Sequence, residues 1–174
     1  MRAVVAGLAL LLVAGCAVAL GPPKTLADAL PVALFDTEGR HIGTAVLTAD
    51  STGLKIALDV AGLPPGPHAV HLHEHGICER RDFLSAGAHL DDGAHQHGRL
   101  NPAGPHLGDL DDLVVGPDGT GRAVLRLAPA RGRLDTRLLL GGDGSAIIIH
   151  AGPDDGHTDP SGKSGPRIAC GIAI

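Results

Sequence analysis

Short aliphatic runs separated by turn residues constrain the fold of this chain more than any other feature. The first three runs have strand length and span residues 31–36, 42–49 and 54–60. Residues 36–39 and 50–53, which divide them, carry the Asp, Thr, Ser and Gly of tight turns. Further runs cover the segment around His71 and residues 113–115, 120–128, 146–150 and 168–174. Several strands at near-regular spacing predict an antiparallel β-sandwich or β-barrel, with a helical turn at most in residues 131–140.

Length and composition limit the chain to one domain with an aliphatic core. The chain has 174 residues, no Trp or Tyr and only two Phe. Val, Ile, Leu and Ala must therefore fill the core. The formal net charge of −5, without a basic stripe, argues against a nucleic-acid partner. Two stretches, residues 74–112 and 151–167, lack strand character, and loops of such length are usually functional or disordered.

Most of the histidines lie in or beside these two long stretches. His71 and His73 flank Leu72, and residues two apart on a strand point to the same face, so both imidazoles can reach one ion. Imidazole is a preferred ligand of copper and zinc, and two four-ligand sites need seven residues if one is shared. Seven candidates occur in suitable order: His71, His73, His89, His97, His106, Asp109 and His150. This set predicts a metalloenzyme with two neighbouring metal ions.

The N-terminus has the pattern of a targeting segment. Arg2 is followed by an uncharged stretch, residues 3–20. Three interpretations stay open: a lipoprotein signal in which residues 13–16 resemble a lipobox ending at Cys16, secretion with cleavage after Ala19, or an uncleaved membrane anchor. The first divides the chain into a signal peptide (1–15), a lipidated tether (16–30) and a folded domain (31–174). All three place the domain outside the cytoplasm, in the cell envelope or periplasm.

The three cysteines fit the lipoprotein interpretation. An odd number of cysteines in a secreted protein requires an explanation. Lipidation of Cys16 would leave Cys78 and Cys170 to form a disulfide in an oxidising compartment. The alternative is a pair of buried free thiols.

Seven short segments occur in the order found in a known enzyme family. They are residues 62–66, 68–74, 85–89, 97–98, 104–110, 149–155 and 167–171. Over roughly residues 32–174 the chain resembles the copper–zinc superoxide dismutases, especially the bacterial periplasmic and lipoprotein branch. The resemblance implies an eight-stranded antiparallel Greek-key β-barrel with two long functional loops. It also implies a monomer or a homodimer.

The resemblance implies a role for each metal-site residue. Copper would be bound by His71, His73, His89 and His150, and zinc by His89, His97, His106 and Asp109. His89 would bridge the two ions through its two ring nitrogens. Asp154 matches the carboxylate that links a copper histidine to a zinc histidine, here His71 and His97, and fixes their tautomers.

The activity implied is dismutation of superoxide to dioxygen and hydrogen peroxide, which would protect the cell envelope from extracytoplasmic superoxide. Arg167 matches the guanidinium that docks the anion beside copper, with His89 taking part in catalysis. A Cys78–Cys170 disulfide would help to hold that arginine. Lys163 stands where the family commonly has an asparagine, and it could add positive charge to the entrance.

Several residues near the site have competing interpretations. His95 is two residues from His97 and is the rival zinc ligand, although the spacing of His97 to His106 fits the family better. His68 matches a family histidine that hydrogen-bonds backbone. Residues 79–82 are expected to form a solvated, charged loop face. An inactive relative that buffers copper or zinc is the alternative function, but it would lack His150, Arg167 or the shared His89, all of which are present. An adhesive or structural β-sandwich would need no ordered set of histidines.

Overall fold

The computed structural model describes residues 29–50, 53–91, 93–127 and 139–174. They form nine strands: β1 (Leu30–Asp36), β2 (His41–Asp50), β3 (Gly53–Ala61), β4 (Gly66–His68), β5 (Val70–His73), β6 (Leu113–Val115), β7 (Thr120–Leu127), β8 (Ser145–His150) and β9 (Arg167–Ala173). The predicted all-β class is confirmed, and each predicted run within the described residues is a strand.

The N-terminal predictions fall outside the described part of the chain. The signal peptide and most of the tether belong to residues 1–28, and most of the helical turn predicted at 131–140 also lies outside, although Leu139 and Leu140 are helical. Among the described residues, no helix combines the length and apolar character that a membrane crossing requires.

The strands form one antiparallel sheet that nearly closes on itself. Their order is β4-β6-β7-β3-β2-β1-β9-β8-β5. The two ends of this order, β4 and β5, are separated in the chain by Ala69 alone. Counted as one strand with a change of partner at Ala69, they give the predicted eight-stranded barrel. Some neighbouring strands are not consecutive in the chain, such as β3 beside β7 and β1 beside β9. The long connections that this order requires are typical of a Greek key.

Alternation of side chains explains why the strands enclose an aliphatic core. In β3, Leu54, Ile56, Leu58 and Val60 are buried, whereas Asp59 on the opposite face is exposed. Residues two apart on a strand share a face, so the run fills the barrel interior with every second side chain. Each such buried Leu, Ile or Val stabilises the fold by about 1.5–3 kcal/mol.

Strand β8 departs from alternation because both of its faces are covered. All six of its residues are buried. Ile147 and Ile149 belong to the main core, while Ala146 and Ile148 pack in a second cluster with Phe83, Ala86 and Cys170. The disulfide predicted between Cys78 and Cys170 is present, with Cα atoms 5.9 Å apart across 92 residues. It fixes the loop after β5 against β9, and this loop covers the outside of the barrel.

Candidate metal centre

Strands β5 and β8 place three histidines on the outer face of the barrel. Val70 and Leu72 of β5 point into the main core, so His71 and His73 point outward. His150 ends β8, where its backbone N–H donates to the Ala69 carbonyl at 2.9 Å. The three side chains are nonetheless buried, because the two long loops pack over them.

The loop after β5 supplies the other candidate ligands. His89 forms an isolated bridge with His73, and Asp109 forms one with His71, so both are fixed to β5 through their backbones. The Asp109 carboxylate orders its own loop, since Oδ2 accepts the backbone N–H groups of Gly98 at 2.9 Å and His106 at 3.0 Å. The ordered loop thereby places Asp109 beside the histidines of β5, although Asp109 lies far from them in the sequence.

Four histidines form the first group of possible metal ligands: His71, His73, His89 and His150. Each offers one ligand atom, and these atoms lie within 4.8 Å of one another. The buried nitrogens without a hydrogen-bond partner include His71 Nδ1 and the Nε2 atoms of the other three. A buried polar atom without a partner is costly. A metal ion would satisfy all four at once, so the donor set fits copper.

The second group surrounds one oxygen of Asp109. Its Oδ1 lies 2.8 Å from His89 Nδ1, 3.1 Å from His97 Nδ1 and 3.5 Å from His106 Nδ1. Ligand atoms about 2 Å from a tetrahedral ion are about 3.3 Å apart, so these separations suit zinc. His106 Nδ1 is buried without a hydrogen-bond partner.

His71 also lies close enough to be grouped with His89, His97 and Asp109. Its Nε2, however, is 2.9 Å from Asp154 Oδ2. Only Nδ1 of His71 is therefore left for a metal, and that atom belongs to the first group. His89 differs, because Nδ1 faces Asp109 and Nε2 faces the first group, so His89 is the imidazole that can join the two.

Asp154 connects the two groups by accepting a hydrogen bond from one histidine of each. Its Oδ2 accepts from His71 Nε2 at 2.9 Å, and its Oδ1 accepts from His97 Nε2 at 3.0 Å. Gly162, at φ +64°, lies against this contact, and a side chain there would collide with Asp154 Oδ1. The glycine both permits the left-handed turn and leaves room for the carboxylate.

Burial makes three of the histidines neutral without metal. It lowers the pKa of His73 to about 2, that of His150 to about 3 and that of His89 to about 4. Neighbouring imidazoles add to this effect in all three cases. Neutral imidazole binds metal through one nitrogen, so His73 and His150 need release no proton at neutral pH, whereas His89 would lose its ring proton to bind an ion at each nitrogen.

The pKa of His97 is shifted in the opposite direction, because this histidine lies between two carboxylates. Burial opposes its charge, but hydrogen bonds to Asp109 and Asp154 outweigh burial and raise the pKa of His97 to about 9. The same contacts outweigh burial at the two acids and hold the pKa of each carboxyl far below its usual range. This part of the site therefore favours positive charge.

The structure distinguishes His97 from its rival. His97 is fully buried, with carboxylates at both ring nitrogens. The His95 side chain is 32% exposed and its Nδ1 donates to Asp91 at 2.7 Å. His68, expected to hydrogen-bond backbone, has its two ring nitrogens 2.7 Å from the His150 and Pro64 carbonyl oxygens.

Comparison with known proteins agrees with this arrangement. The family model for copper/zinc superoxide dismutase matches residues 41–173. The chain belongs to this family. Copper–zinc superoxide dismutase 2 of Aquifex aeolicus is 40% identical over 141 residues, covering 80% of this chain and 82% of that protein. The copper–zinc superoxide dismutase of Caulobacter vibrioides is 41% identical over 138 residues, covering 78% and 79%.

A solved structure shares both fold and sequence. A SOD-like protein from Bacillus subtilis superposes with a TM-score of 0.77 at 39% identity, covering 83% of this chain and 97% of that one. With the family model and the two histidine groups, this makes the chain an oxidoreductase that dismutates superoxide with copper and zinc as cofactors.

A cleft of about 530 Å³ connects this dismutase site with solvent. His89 and His150 lie on its lining together with Arg167. The Arg167 guanidinium donates from Nη1 to the Phe83 carbonyl and from Nη2 to the Gly87 carbonyl, each at 2.8 Å. Both carbonyls belong to the loop that the disulfide fixes, so Arg167 is held beside the histidines.

Sequence reasoning missed part of this cleft. Residues 79–82 were expected to be a solvated loop face, and all four are exposed. Arg81 and Asp82 nevertheless line the cleft, while Lys163, which was expected to add charge there, pairs with Asp155 at 3.7 Å. A charge run in a loop gives no sign of the direction in which each side chain points, so no sequence signal could have separated Arg81 from Arg80.

Proposed function

We propose that two metal ions share this site and that the orientation of each ring divides the ligands between them. Copper would be held by His71, His73, His89 and His150, and zinc by His89, His97, His106 and Asp109. The four unpartnered nitrogens of the first group and the separations around Asp109 Oδ1 support this division. The two ring nitrogens of His89 support its role as the bridge.

Each side chain then has a defined task in the reaction, which turns two superoxide anions and two protons into dioxygen and hydrogen peroxide. Bound copper would exchange single electrons with superoxide, while zinc, which has no redox chemistry, would hold the shape and charge of the site. Arg167 docks the anion, because its guanidinium is fixed at the cleft wall and remains charged. Asp154 keeps His71 and His97 oriented, and His89, which lines the cleft together with Arg167, could hold a proton at Nε2 when that atom is not bound to copper.

Metal loading tests this assignment. The full chain loaded with copper and zinc should remove superoxide at a rate measured by pulse radiolysis. His150→Ala should lose copper and most of that activity. His41→Ala is the matched control, since His41 is an exposed histidine packed edge-on against Phe35, with ring centres 5.5 Å apart. A loaded protein that holds copper but shows no dismutation would support the metal-buffer alternative.

We further propose that the enzyme works outside the cytoplasm, tethered to the cell envelope through lipid on Cys16, and protects the envelope from superoxide. The N-terminal pattern supports this location, and so does the Cys78–Cys170 disulfide, because such bonds persist in oxidising compartments. Lipidation of Cys16 also accounts for the odd cysteine.

Fractionation of cells that produce the full chain tests this location. The wild type should appear in the membrane fraction, and intact mass should show acylated Cys16 as the first residue. Cys16→Ser should remain outside the cytoplasm but lose the acyl mass. A wild type that keeps residues 1–15 and carries no acyl mass would favour the uncleaved anchor, and a cytoplasmic protein with free thiols would refute the location.

A further inference from the structure

Four charged side chains line the cleft above the metal-ligand groups. They are Arg81, Asp82, Asp159 and Arg167. Two guanidiniums thus balance two carboxylates at the entrance of a site whose substrate is an anion. The chain as a whole carries a formal charge of −5. Without one of the two arginines the cleft lining would have the same sign as the substrate and as the protein.

The two arginines differ in how they are held. Arg167 donates to two backbone carbonyls and is half-buried, so it acts at the docking position. Arg81 is exposed and forms no ion pair with any residue that the structure describes. Its charge is therefore not held in an ion pair. Its backbone has φ +112°, outside the regions that side-chain-bearing residues favour, and strained residues of this kind cluster at functional sites.

Three other cations in and near the loops are paired. Lys163 pairs with Asp155, Arg99 with Asp111 and Arg40 with Asp36. Lys163 was the sequence-based candidate for the positive entrance, but it is absent from the cleft lining. Asp82, the immediate neighbour of Arg81, lies within electrostatic range of Arg167 and adds negative charge to the same wall.

We propose that Arg81 is the residue that steers superoxide into the cleft, by offsetting the carboxylates of Asp82 and Asp159. The steering charge of this enzyme lies in the disulfide-fixed loop and not at Lys163 in the loop before β9. This role rests on the proposed dismutase function, because it concerns capture of the anion before Arg167 docks it. It requires a long-range field and no contact with the metal ligands.

The adjacent arginine provides a matched control. Arg80 is also exposed and has no ion pair among the described residues, but it lies over Gly39 in the β1–β2 turn and does not line the cleft. Arg80→Gln and Arg81→Gln thus remove the same charge, one position apart in the sequence. A general effect of net charge would be equal in both variants.

Pulse radiolysis of the metal-loaded full chain tests the proposal. At an ionic strength of about 0.01 M, where the Debye length is about 30 Å, Arg81→Gln should lower kcat/KM about two- to fivefold relative to wild type. Arg80→Gln should change it less than Arg81→Gln does, and Arg81→Lys should retain the wild-type rate. At about 1 M salt, where the Debye length is about 3 Å, all variants should converge.

A second readout does not depend on turnover. Azide is a small anion, and its affinity for the copper(II) protein, followed by optical titration, should fall in Arg81→Gln by a similar factor at low salt. Equal losses in the Arg80 and Arg81 variants would overturn the proposal, as would a loss in Arg81→Gln that persists at high salt. Absence of activity in the loaded wild type would instead contradict the dismutase assignment, so the two failures can be told apart.

Discussion

At the scale of single residues, the two carboxylates on either side of His97 organise the site. Asp109 accepts from His89 and His97 on one side, and Asp154 accepts from His71 and His97 on the other. The contacts with Asp154 leave Nδ1 of His71 and of His97 for metal, whereas both ring nitrogens of His89 face the metal-ligand groups. The orientation of the ligands is built into the protein and does not depend on the ion alone.

Replacement of Asp154 should lower the affinity of the site for zinc while the fold is retained. In Asp154→Asn the amide has a single oxygen for two imidazole donors, so His71 or His97 loses its partner. We expect zinc affinity to fall about 10- to 100-fold, measured by competition with a chromophoric chelator. Asp111→Asn, the same chemical change at an exposed residue that pairs with Arg99, should bind zinc like the wild type. Unchanged zinc affinity in Asp154→Asn would show that Asp154 does not orient the ligands.

At the scale of structural elements, the loop after β5 links the disulfide to the cleft. Phe83 is buried against Ile148 and Cys170, and its backbone carbonyl accepts from Arg167. The covalent link from Cys78 to Cys170 therefore helps to fix the two carbonyls that hold the guanidinium. Stability and the proposed docking of the anion by Arg167 therefore depend on the same element.

Loss of the disulfide should reduce both properties. In the chain-entropy description, opening a loop of 92 residues costs about 4 to 5 kcal/mol of unfolding free energy. The double variant Cys78→Ser/Cys170→Ser should show this loss in chemical denaturation, together with a lower kcat/KM because Arg167 is less well fixed. The reduced wild type is the control and should behave like the double variant. A stable double variant with full activity would mean that the loop is held by Phe83 packing alone.

The strands and the site differ in how far the sequence predicts them. Alternation in β3 and the runs between turns predict the barrel, because each strand pattern is local. The ligand set follows from the order of short segments that resemble a family. The lining of the cleft by Arg81 and the pairing of Lys163 with Asp155 do not follow, because side-chain direction in a loop depends on tertiary contacts. The break at Ala69 is also unpredicted, since it arises where the barrel closes.

At the scale of the whole molecule, the buried neutral histidines make the stability of the metal-free protein depend on pH. His73, His150 and His89 titrate near 2, 3 and 4 in the fold, against 6.5 in the unfolded chain. Below about pH 6.5 the unfolded state therefore binds more protons, and stability falls as the pH falls. His97 acts in the opposite sense, because its pKa of about 9 gives stability that is complete below 6.5 and is lost as the pH rises through 9.

As the pH falls below about 7.5, the destabilising effect of His73, His150 and His89 grows by more than the stabilising effect of His97 does. We expect the unfolding free energy of the metal-free protein to fall by several kcal/mol between about pH 7.5 and pH 5, as measured by urea denaturation. The lowered carboxyl pKa values of Asp109 and Asp154 do not contribute in this window, because their effect appears only below about pH 4. A stability that is flat or rises toward pH 5 would contradict the burial of these three rings as neutral ligands.

The arrangement of two ions around one shared imidazole is tested most directly by anomalous diffraction from crystals of the loaded protein, recorded at the copper and zinc absorption edges. Two peaks should appear, one on each side of the His89 ring. The copper peak should be surrounded by His71, His73 and His150, and the zinc peak by His97, His106 and Asp109. A single peak, or a zinc peak at His95 with His97 turned away, would contradict the shared two-metal centre.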